Sequence, residues 1–140
     1  MLFRSPEFVS ALRAKQVKPI AIGDSIVATC EPHERVVLET IREIGLDLAV
    51  TRNKGAVMVL PSNVDKATGL EEQANLLGLS LHNIAGIGDA ENDIAFLMRC
   101  GAAAATANAL DSVKAVCDLV TRGDHGQGVA EFAHRILDSD

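Results

Sequence analysis

The chain has 140 residues, 48% of them hydrophobic and 23% charged, which predicts one globular domain, or one domain with a small insert. Aromatic residues make up only 3% and the formal net charge is -6, so a nucleic-acid surface, which needs stacking side chains and positive charge, is disfavoured. No apolar run reaches membrane-spanning length, so a membrane is not expected as a partner. For the reasons just given, a nucleic acid is not expected either.

The start of the chain and its cysteines indicate the cellular compartment. The first ten residues, MLFRSPEFVS, lack the apolar stretch of a secretory signal peptide. Cys30, Cys100 and Cys117 are odd in number and lack the close spacing of metal-binding cysteines. We therefore expect reduced thiols in the core of a cytoplasmic protein.

A short helix and a strand are predicted at the beginning of the chain. Ser5 and Pro6 are typical of an N-cap followed by proline in the first helical position. The apolar residues that would form the buried face of this helix are Phe8, Val9 and Leu12. The stretch PIAIGDSIVATC, residues 19–30, predicts a single strand because apolar residues recur along it.

A second helix and a hairpin follow. Pro32 favours a helix start and Gly45 a helix end. The segments LDLAV, residues 46–50, and AVMVL, residues 56–60, predict two strands, and TRNKG between them favours a hairpin turn. The first sixty residues therefore form a β-α-β-β unit after the first helix, of a kind that is usually antiparallel.

After Pro61 helices and strands alternate, which indicates parallel strands in a doubly wound sheet. Asn63 or Asp65 could cap the first of these helices. Strands are predicted at NIAGIG, GAAAAT and DLVT. The apolar residues expected to face inward from the helices are Ala67, Leu70, Ala74, Leu77, Ile94, Leu97, Met98, Leu110, Val113, Val116, Val129, Phe132 and Ile136.

Three acidic residues lie in the stretch GIGDAENDIAFL, directly after the predicted strand NIAGIG. Asp89 stands at the carboxyl end of that strand, where ligands of parallel sheets collect, and Asp93 lies about one helical turn further on. Such a pair of carboxylates suits Mg²⁺, although both residues and Glu91 could equally favour the positive end of a helix. A dinucleotide site is excluded because Glu91 replaces the third glycine of G-x-G-x-x-G.

Lys66, in NVDKATGL, begins the helix that precedes the acidic strand. A lysine at a helix start is disfavoured by the helix dipole, and a bound phosphoryl group would explain it. The alternative is an ordinary surface lysine.

The two motifs together resemble those of the haloacid dehalogenase superfamily, specifically the Cof-type and sugar-phosphate phosphatases. VDKATGL is similar to the lysine motif of that family and GDAENDIAFL to its G-D-x-x-N-D motif. The resemblance implies that Lys66 steadies a phosphoryl group, that Asp89 ligates Mg²⁺, and that Asp93 holds either the waters of the metal or the lysine. It also implies that Asn92 contacts the substrate or orders the loop.

The resemblance extends over essentially the whole chain and implies an α/β fold of two parts. Residues 1–61 would form a small β-α-β-β cap, and residues 62–140 the C-terminal half of a core with a parallel sheet. The expected substrate is a phosphorylated small molecule. None of the four histidines is assigned a ligand role, and His125, in a glycine-rich loop near the site, would at most contact the substrate.

Two motifs of the family are missing, the nucleophile motif and a second motif that supplies a Ser or Thr for the phosphate. Members begin with a strand that ends in D-x-D-x-[TV], whose first Asp is the nucleophile, and no such motif occurs here. The nearest stretch, IAIGDSIVAT, has Ile26 in place of the second Asp. We therefore expect a phosphohydrolase that is inactive alone, or a non-catalytic module that assembles with itself or with a chain that supplies the missing half. A small metal- or anion-binding regulator is the third possibility.

Overall fold

The computed structural model describes residues 6–139 and is a mixed α/β structure, as predicted. It divides into two compact units, an N-terminal unit that extends to Asp65 and a C-terminal unit that begins at Lys66. The N-terminal unit contains a four-stranded antiparallel sheet and the C-terminal unit a three-stranded parallel sheet. The predicted cap at Ser5 lies outside the described residues.

Two helices and two hairpins form the N-terminal unit. In chain order its elements are α1 Pro6–Ala14, β1 Ala21–Ile22, β2 Val27–Cys30, α2 Glu34–Ile44, β3 Leu48–Asn53 and β4 Ala56–Pro61. The strand order in the sheet is β1-β2-β4-β3. Its core contains Phe8 and Leu12 of α1, Val37 of α2 and Val57 of β4, all fully buried.

The prediction of one strand over residues 19–30 was wrong, because β1 and β2 form a tight hairpin there. The backbone N–H of Gly23 donates to the carbonyl of Ile26 at 2.8 Å, which reverses the chain, and Ile22 then pairs with Val27. The polar residues Asp24 and Ser25 occupy the turn, as is usual for short turns. Apolar residues on both sides of the turn hid it in the sequence pattern.

The second hairpin and the end of α2 confirm the sequence predictions. Lys54 and Gly55 both have positive φ angles, 46° and 91°, as a two-residue turn between right-twisted strands requires. Gly45 has a φ of 73° and its N–H donates to the carbonyl of Ile41, which ends α2.

Helices and strands alternate in the C-terminal unit. Its elements are α3 Lys66–Leu77, β5 Ala85–Gly88, α4 Ile94–Leu97, β6 Ala102–Ala105, α5 Asp111–Lys114, β7 Leu119–Val120 and α6 His125–Leu137, with 3₁₀ turns at Leu81–Asn83 and Glu91–Asp93. The strands are parallel in the order β5-β6-β7, and Gly88 pairs with Ala105. The carboxyl ends of β5 and β6 therefore lie side by side.

Several residues that were predicted to face inward are exposed. The helix expected to carry Ile94, Leu97 and Met98 is a 3₁₀ turn followed by a short α4 that ends at Leu97. Leu97 is buried, whereas Met98 is 68% exposed. Leu77, at the last position of α3, is 69% exposed. Val129 and Ile136 of α6 are each 46% exposed, although Phe132 between them is buried.

The sequence analysis also predicted reduced cysteines in the core and no membrane-spanning segment. Cys30, Cys100 and Cys117 carry free thiols and are half-buried rather than deep in the core. Burial raises the pKa of Cys100, and burial together with the charge of Asp118 raises that of Cys117. Within residues 6–139, no helix combines the length and apolar character needed to cross a membrane.

Candidate functional site

A cavity of about 360 Å³ lies in the C-terminal unit, at the carboxyl ends of β5 and β6. Asp89 follows β5 directly and Thr106 follows β6, so both come from the sheet edge where parallel strands present their ligands. The cavity is lined by Lys66, Ile87, Gly88, Asp89, Asp93, Thr106, His125 and Val129. Three of the four residues singled out from the sequence, Lys66, Asp89 and Asp93, are therefore in one place.

Lys66 and Asp93 form an ion pair across this cavity. Lys66 is the first residue of α3, and its Nζ donates to Oδ1 of Asp93. The side chain of Asp93 is 6% exposed and that of Lys66 50% exposed, so the carboxylate is buried while the ammonium group still reaches solvent. A buried carboxylate needs such partners because burial without them is costly.

The second carboxylate oxygen of Asp93 is held by the backbone of the acidic loop. Oδ2 accepts the N–H of Asp89 at 2.9 Å and that of Ala90 at 3.1 Å. Burial raises the pKa of Asp93, but the hydrogen bonds from Lys66, Asp89 and Ala90 outweigh burial and hold that pKa below its ordinary value. Both oxygens of Asp93 are thus occupied by protein donors, which fix the loop and the lysine.

Glycine is required at position 88, where Asp93 packs on the end of β5. A Cβ atom added to Gly88 would lie 2.6 Å from Cβ of Asp93, closer than real Cβ contacts. The last residue of the strand must therefore lack a side chain for the loop to fold back over it.

Asp89 has a partner that the sequence did not reveal. Nδ2 of Asn108 lies 3.3 Å from Oδ2 of Asp89, and Oδ1 of Asn108 accepts the N–H of His125 at 2.7 Å. Asn108 follows β6 by three positions, so the rule that singled out Asp89, a polar residue at the carboxyl end of a parallel strand, would also have found it. Asn108 and His125 are thus linked to Asp89, one of the three predicted residues that line the cavity.

Asn92 lies in the acidic loop but not among the residues that line the cavity. Its Oδ1 atom is buried and has no hydrogen-bond partner in the part of the chain that the structure describes. Thr106 does line the cavity, and its buried hydroxyl likewise has no hydrogen-bond partner among the described residues. Contact between Asn92 and a substrate remains a prediction.

The family is established by comparison with known proteins. A model of the haloacid dehalogenase-like hydrolases matches residues 8–132. The chain belongs to this family. A phosphoglycolate phosphatase of Methanothermobacter thermautotrophicus is similar to it, with 30% identity over 123 residues, which cover 86% of this chain and 56% of that protein.

Solved structures share the fold of this chain. A Thermoplasma acidophilum protein superposes with a TM-score of 0.74 at 18% identity, covering 93% of this chain and 60% of the other. A haloacid dehalogenase-like hydrolase from Bacteroides thetaiotaomicron gives a TM-score of 0.64 at 23% identity, covering 83% and 45%. The chain spans about half the length of the curated relatives it matches.

The family implies Mg²⁺, and the donors in the cavity fit part of such a site. Within residues 6–139, no group of three or more His, Cys, Asp or Glu side chains lies close enough together to hold a metal ion. Mg²⁺, however, needs only one or two carboxylates and completes its octahedron with water and substrate phosphate. Asp89 and Asp93 are the carboxylates that line the cavity, and both oxygens of Asp93 accept protein hydrogen bonds.

Proposed function

We propose that this chain carries the phosphoryl- and metal-binding half of a haloacid dehalogenase-type phosphohydrolase site. The observation that carries the proposal is the ion pair of Lys66 and Asp93, because Asp93 at the same time holds the backbone of Asp89. One carboxylate thereby sets the positions of a cation for phosphate and of a carboxylate for metal. Neither a capping role for the acids nor a surface role for the lysine needs this arrangement.

Each residue has a separate part in the proposed site. Lys66 neutralises negative charge on the phosphoryl oxygens, and Asp93 holds its ammonium group in place. Asp89 ligates Mg²⁺, which when bound supplies charge neutralisation and orients the phosphoryl group. Asn92 either contacts the substrate or orders the loop, as the resemblance to the family implies.

Hydrolysis by this chemistry also needs a nucleophile. Covalent catalysis depends on an activated group placed next to the phosphorus atom, and the sequence has no D-x-D-x-[TV] motif to supply one. We therefore infer that residues 62–140 form the C-terminal half of the family core and residues 1–61 its cap, and that these 140 residues alone do not turn over substrate.

The proposed substrate is a phosphorylated small molecule. 2-Phosphoglycolate is the first to test, because the similar curated proteins are named phosphoglycolate phosphatases. The free thiols of Cys30, Cys100 and Cys117 support a reducing compartment, and we propose the cytoplasm.

A non-catalytic module that assembles with another chain is the second candidate. Its support is the edge of the parallel sheet, since β5 pairs with β6 alone in the part of the chain that the structure describes. Such an edge offers its backbone groups to another strand. A second copy of the chain, or a chain that carries D-x-D-x-T, could occupy it.

Activity measurements separate these proposals. Phosphate release from p-nitrophenyl phosphate and 2-phosphoglycolate would be followed with Mg²⁺, first for the 140-residue chain and then for the chain fused behind a segment that carries a D-x-D-x-T strand. We expect no release by the chain alone and Mg²⁺-dependent release by the fusion. Asp89→Ala and Lys66→Ala should abolish this release, and the matched controls Asp111→Ala and Lys114→Ala should retain it.

Two results would contradict the proposal. Steady turnover by the chain alone, abolished by Asp89→Ala, would show that it holds a nucleophile of its own. A folded fusion that binds Mg²⁺ but hydrolyses neither ester would favour the non-catalytic module.

A further inference from the structure

The orientation of the Asn108 amide is fixed by two partners that cannot exchange roles. The backbone N–H of His125 can only donate, so the atom 2.7 Å from it must be the amide oxygen. The carboxylate of Asp89 can only accept when ionised, so the atom 3.3 Å from it must be the amide nitrogen. The opposite orientation would place two acceptors against each other at the contact with Asp89, and two donors against each other at the contact with His125.

This orientation determines the tautomer of the His125 ring. Nδ2 of Asn108 lies 3.3 Å from Nδ1 of His125 as well as from Oδ2 of Asp89, and its two hydrogens serve the two contacts. Nδ1 of His125 must then accept, because a proton there would face the amide hydrogen. The proton of the neutral ring is therefore on Nε2.

The backbone conformation and hydrogen bonds of His125 indicate that its side chain is held in a fixed position. His125 has a φ of 46°, in the left-handed region that residues other than glycine seldom adopt. Asn108 forms two hydrogen bonds with this residue, one with its backbone N–H and one with Nδ1 of its ring. His125 is also one of the residues that line the cavity, together with Lys66 and Asp89.

We propose that Asn108 is a positioning residue that holds His125 as an Nε2–H donor to an anionic oxygen of the ligand in this cavity. The ligand part of the proposal rests on the proposed function, since it takes the cavity to be a phosphoryl site. The shared chemistry is an anionic oxygen, which a phosphoryl group or the carboxylate of a substrate such as 2-phosphoglycolate could supply. Asn108 acts through His125 and Asp89 and does not itself need to touch the ligand.

The tautomer can be read directly by ¹⁵N NMR of the histidine rings at alkaline pH, where imidazoles are neutral. Two other histidines serve as internal references. Nδ1 of His134 lies 2.8 Å from the carbonyl of Ala130, so the neutral ring of His134 must be protonated at Nδ1. Nε2 of His33 lies 3.0 Å from the carbonyl of Lys18, so the neutral ring of His33 must be protonated at Nε2. We expect His125 to resemble His33 and to differ from His134.

The isosteric change Asn108→Asp tests the positioning role. A carboxylate still accepts the N–H of His125 but cannot donate to Nδ1, so we expect the His125 proton to move to Nδ1 and its spectrum to resemble that of His134. Asn75→Asp, at an exposed position of α3, is the control and should leave all rings unchanged. An Nδ1–H tautomer in the unmodified chain, or no response to Asn108→Asp, would overturn the role of Asn108.

Titration with inorganic phosphate in the presence of Mg²⁺ tests the donor role. We expect the Nε2 signal of His125 to shift while those of His33 and His134 do not, and His125→Asn to weaken phosphate binding roughly tenfold, as the loss of one hydrogen bond to a charged group does. Asn suits this substitution because it tolerates the left-handed backbone. Glycolate in place of phosphate distinguishes a carboxylate contact, which would shift the same signal.

The outcomes separate this inference from the proposed function. Phosphate that binds in a Lys66-dependent manner without moving the His125 signal leaves the proposed function intact and refutes the donor role. Absence of any phosphate binding removes the donor role together with the proposed function, and the tautomer then decides the role of Asn108 by itself.

Discussion

Lys66 and Asp93 are 27 positions apart in the chain, yet the ammonium group of the lysine donates directly to the buried carboxylate. The other oxygen of that carboxylate receives two backbone N–H groups of the loop that follows β5. This contact joins the start of α3 to the end of a strand of the parallel sheet. The residues that were singled out from two separate motifs therefore form one structural feature.

The lowered pKa of Asp93 predicts loss of stability in acid. Because the pKa lies below its ordinary value of 3.8, the folded chain binds this proton less tightly than the unfolded chain. The stabilisation is present above pH 3.8 and is lost as the pH falls through the lowered pKa. Urea unfolding as a function of pH should show this decline, and Asp93→Asn should reduce it and lower stability near neutrality by about 1–3 kcal/mol.

Two variants provide controls for the acid experiment. Asp111→Asn, at an exposed position of α5, should leave the pH profile unchanged. Glu131→Gln is a second test of the same effect and should remove a further part of the decline. The pKa of Glu131 is also lowered, mainly by the hydrogen bond that the N–H of Gly123 donates to its carboxylate. A profile of Asp93→Asn that matches the unmodified chain would contradict the account of the Asp93 hydrogen bonds.

The close contact at Gly88 predicts that even one added methyl group disturbs the site. Gly88→Ala would bring Cβ to 2.6 Å from Cβ of Asp93, and relieving the contact should cost about 1–3 kcal/mol in unfolding free energy. Gly69→Ala, in α3, meets nothing within 4 Å and should be neutral or stabilising. Equal denaturation midpoints for the two variants would show that the loop is not packed on the strand as described.

Mg²⁺ should bind to the 140-residue chain, but weakly. Asp89 supplies one carboxylate, and Mg²⁺ gives up its waters reluctantly when few protein ligands replace them. Isothermal titration calorimetry should show weak binding that is lost in Asp89→Asn and kept in Asp111→Asn. A tight, stoichiometric titration would mean that further ligands have to be found.

The edge of β5 predicts self-association. Backbone groups on the open side of an edge strand recruit another strand, and a two-fold contact between identical chains is the commonest arrangement. We expect sedimentation equilibrium at micromolar concentration to show a dimer or a larger species, with the contact at or near residues 84–87. Ala85→Lys, which places a charge at an exposed position of the edge, should shift the chain toward monomer. A soluble, folded monomer of the unmodified chain would show that this edge is covered in another way.

The sequence predicted the fold class and the proximity of Lys66, Asp89 and Asp93, because both depend on local signals. Asp89 follows an apolar strand, Lys66 follows a helix-capping stretch, and parallel strands present their ends at one edge. The hairpin at Asp24 and Ser25 was missed because the apolar pattern continues through it. Exposure of Met98 was missed because α4 ends one residue earlier, and helix ends are the least certain part of a sequence prediction.

The link from Asp89 through Asn108 to His125 was beyond sequence analysis for a different reason. The three residues belong to three segments that meet only when the parallel sheet has formed. Spacing along the chain carries no signal for such a contact. Only the general rule about polar residues at strand ends could have pointed to Asn108.

Binding of inorganic phosphate to the 140-residue chain tests the central claim most directly, because it needs the cavity and no nucleophile. Equilibrium dialysis would measure phosphate affinity with and without Mg²⁺. We predict binding that is strengthened by Mg²⁺ and is weakened at least about tenfold by Lys66→Ala or by Asp89→Asn, but not by Lys114→Ala. Phosphate affinity that is unaffected by both Lys66→Ala and Asp89→Asn would contradict the claim that these residues form a phosphoryl and metal site.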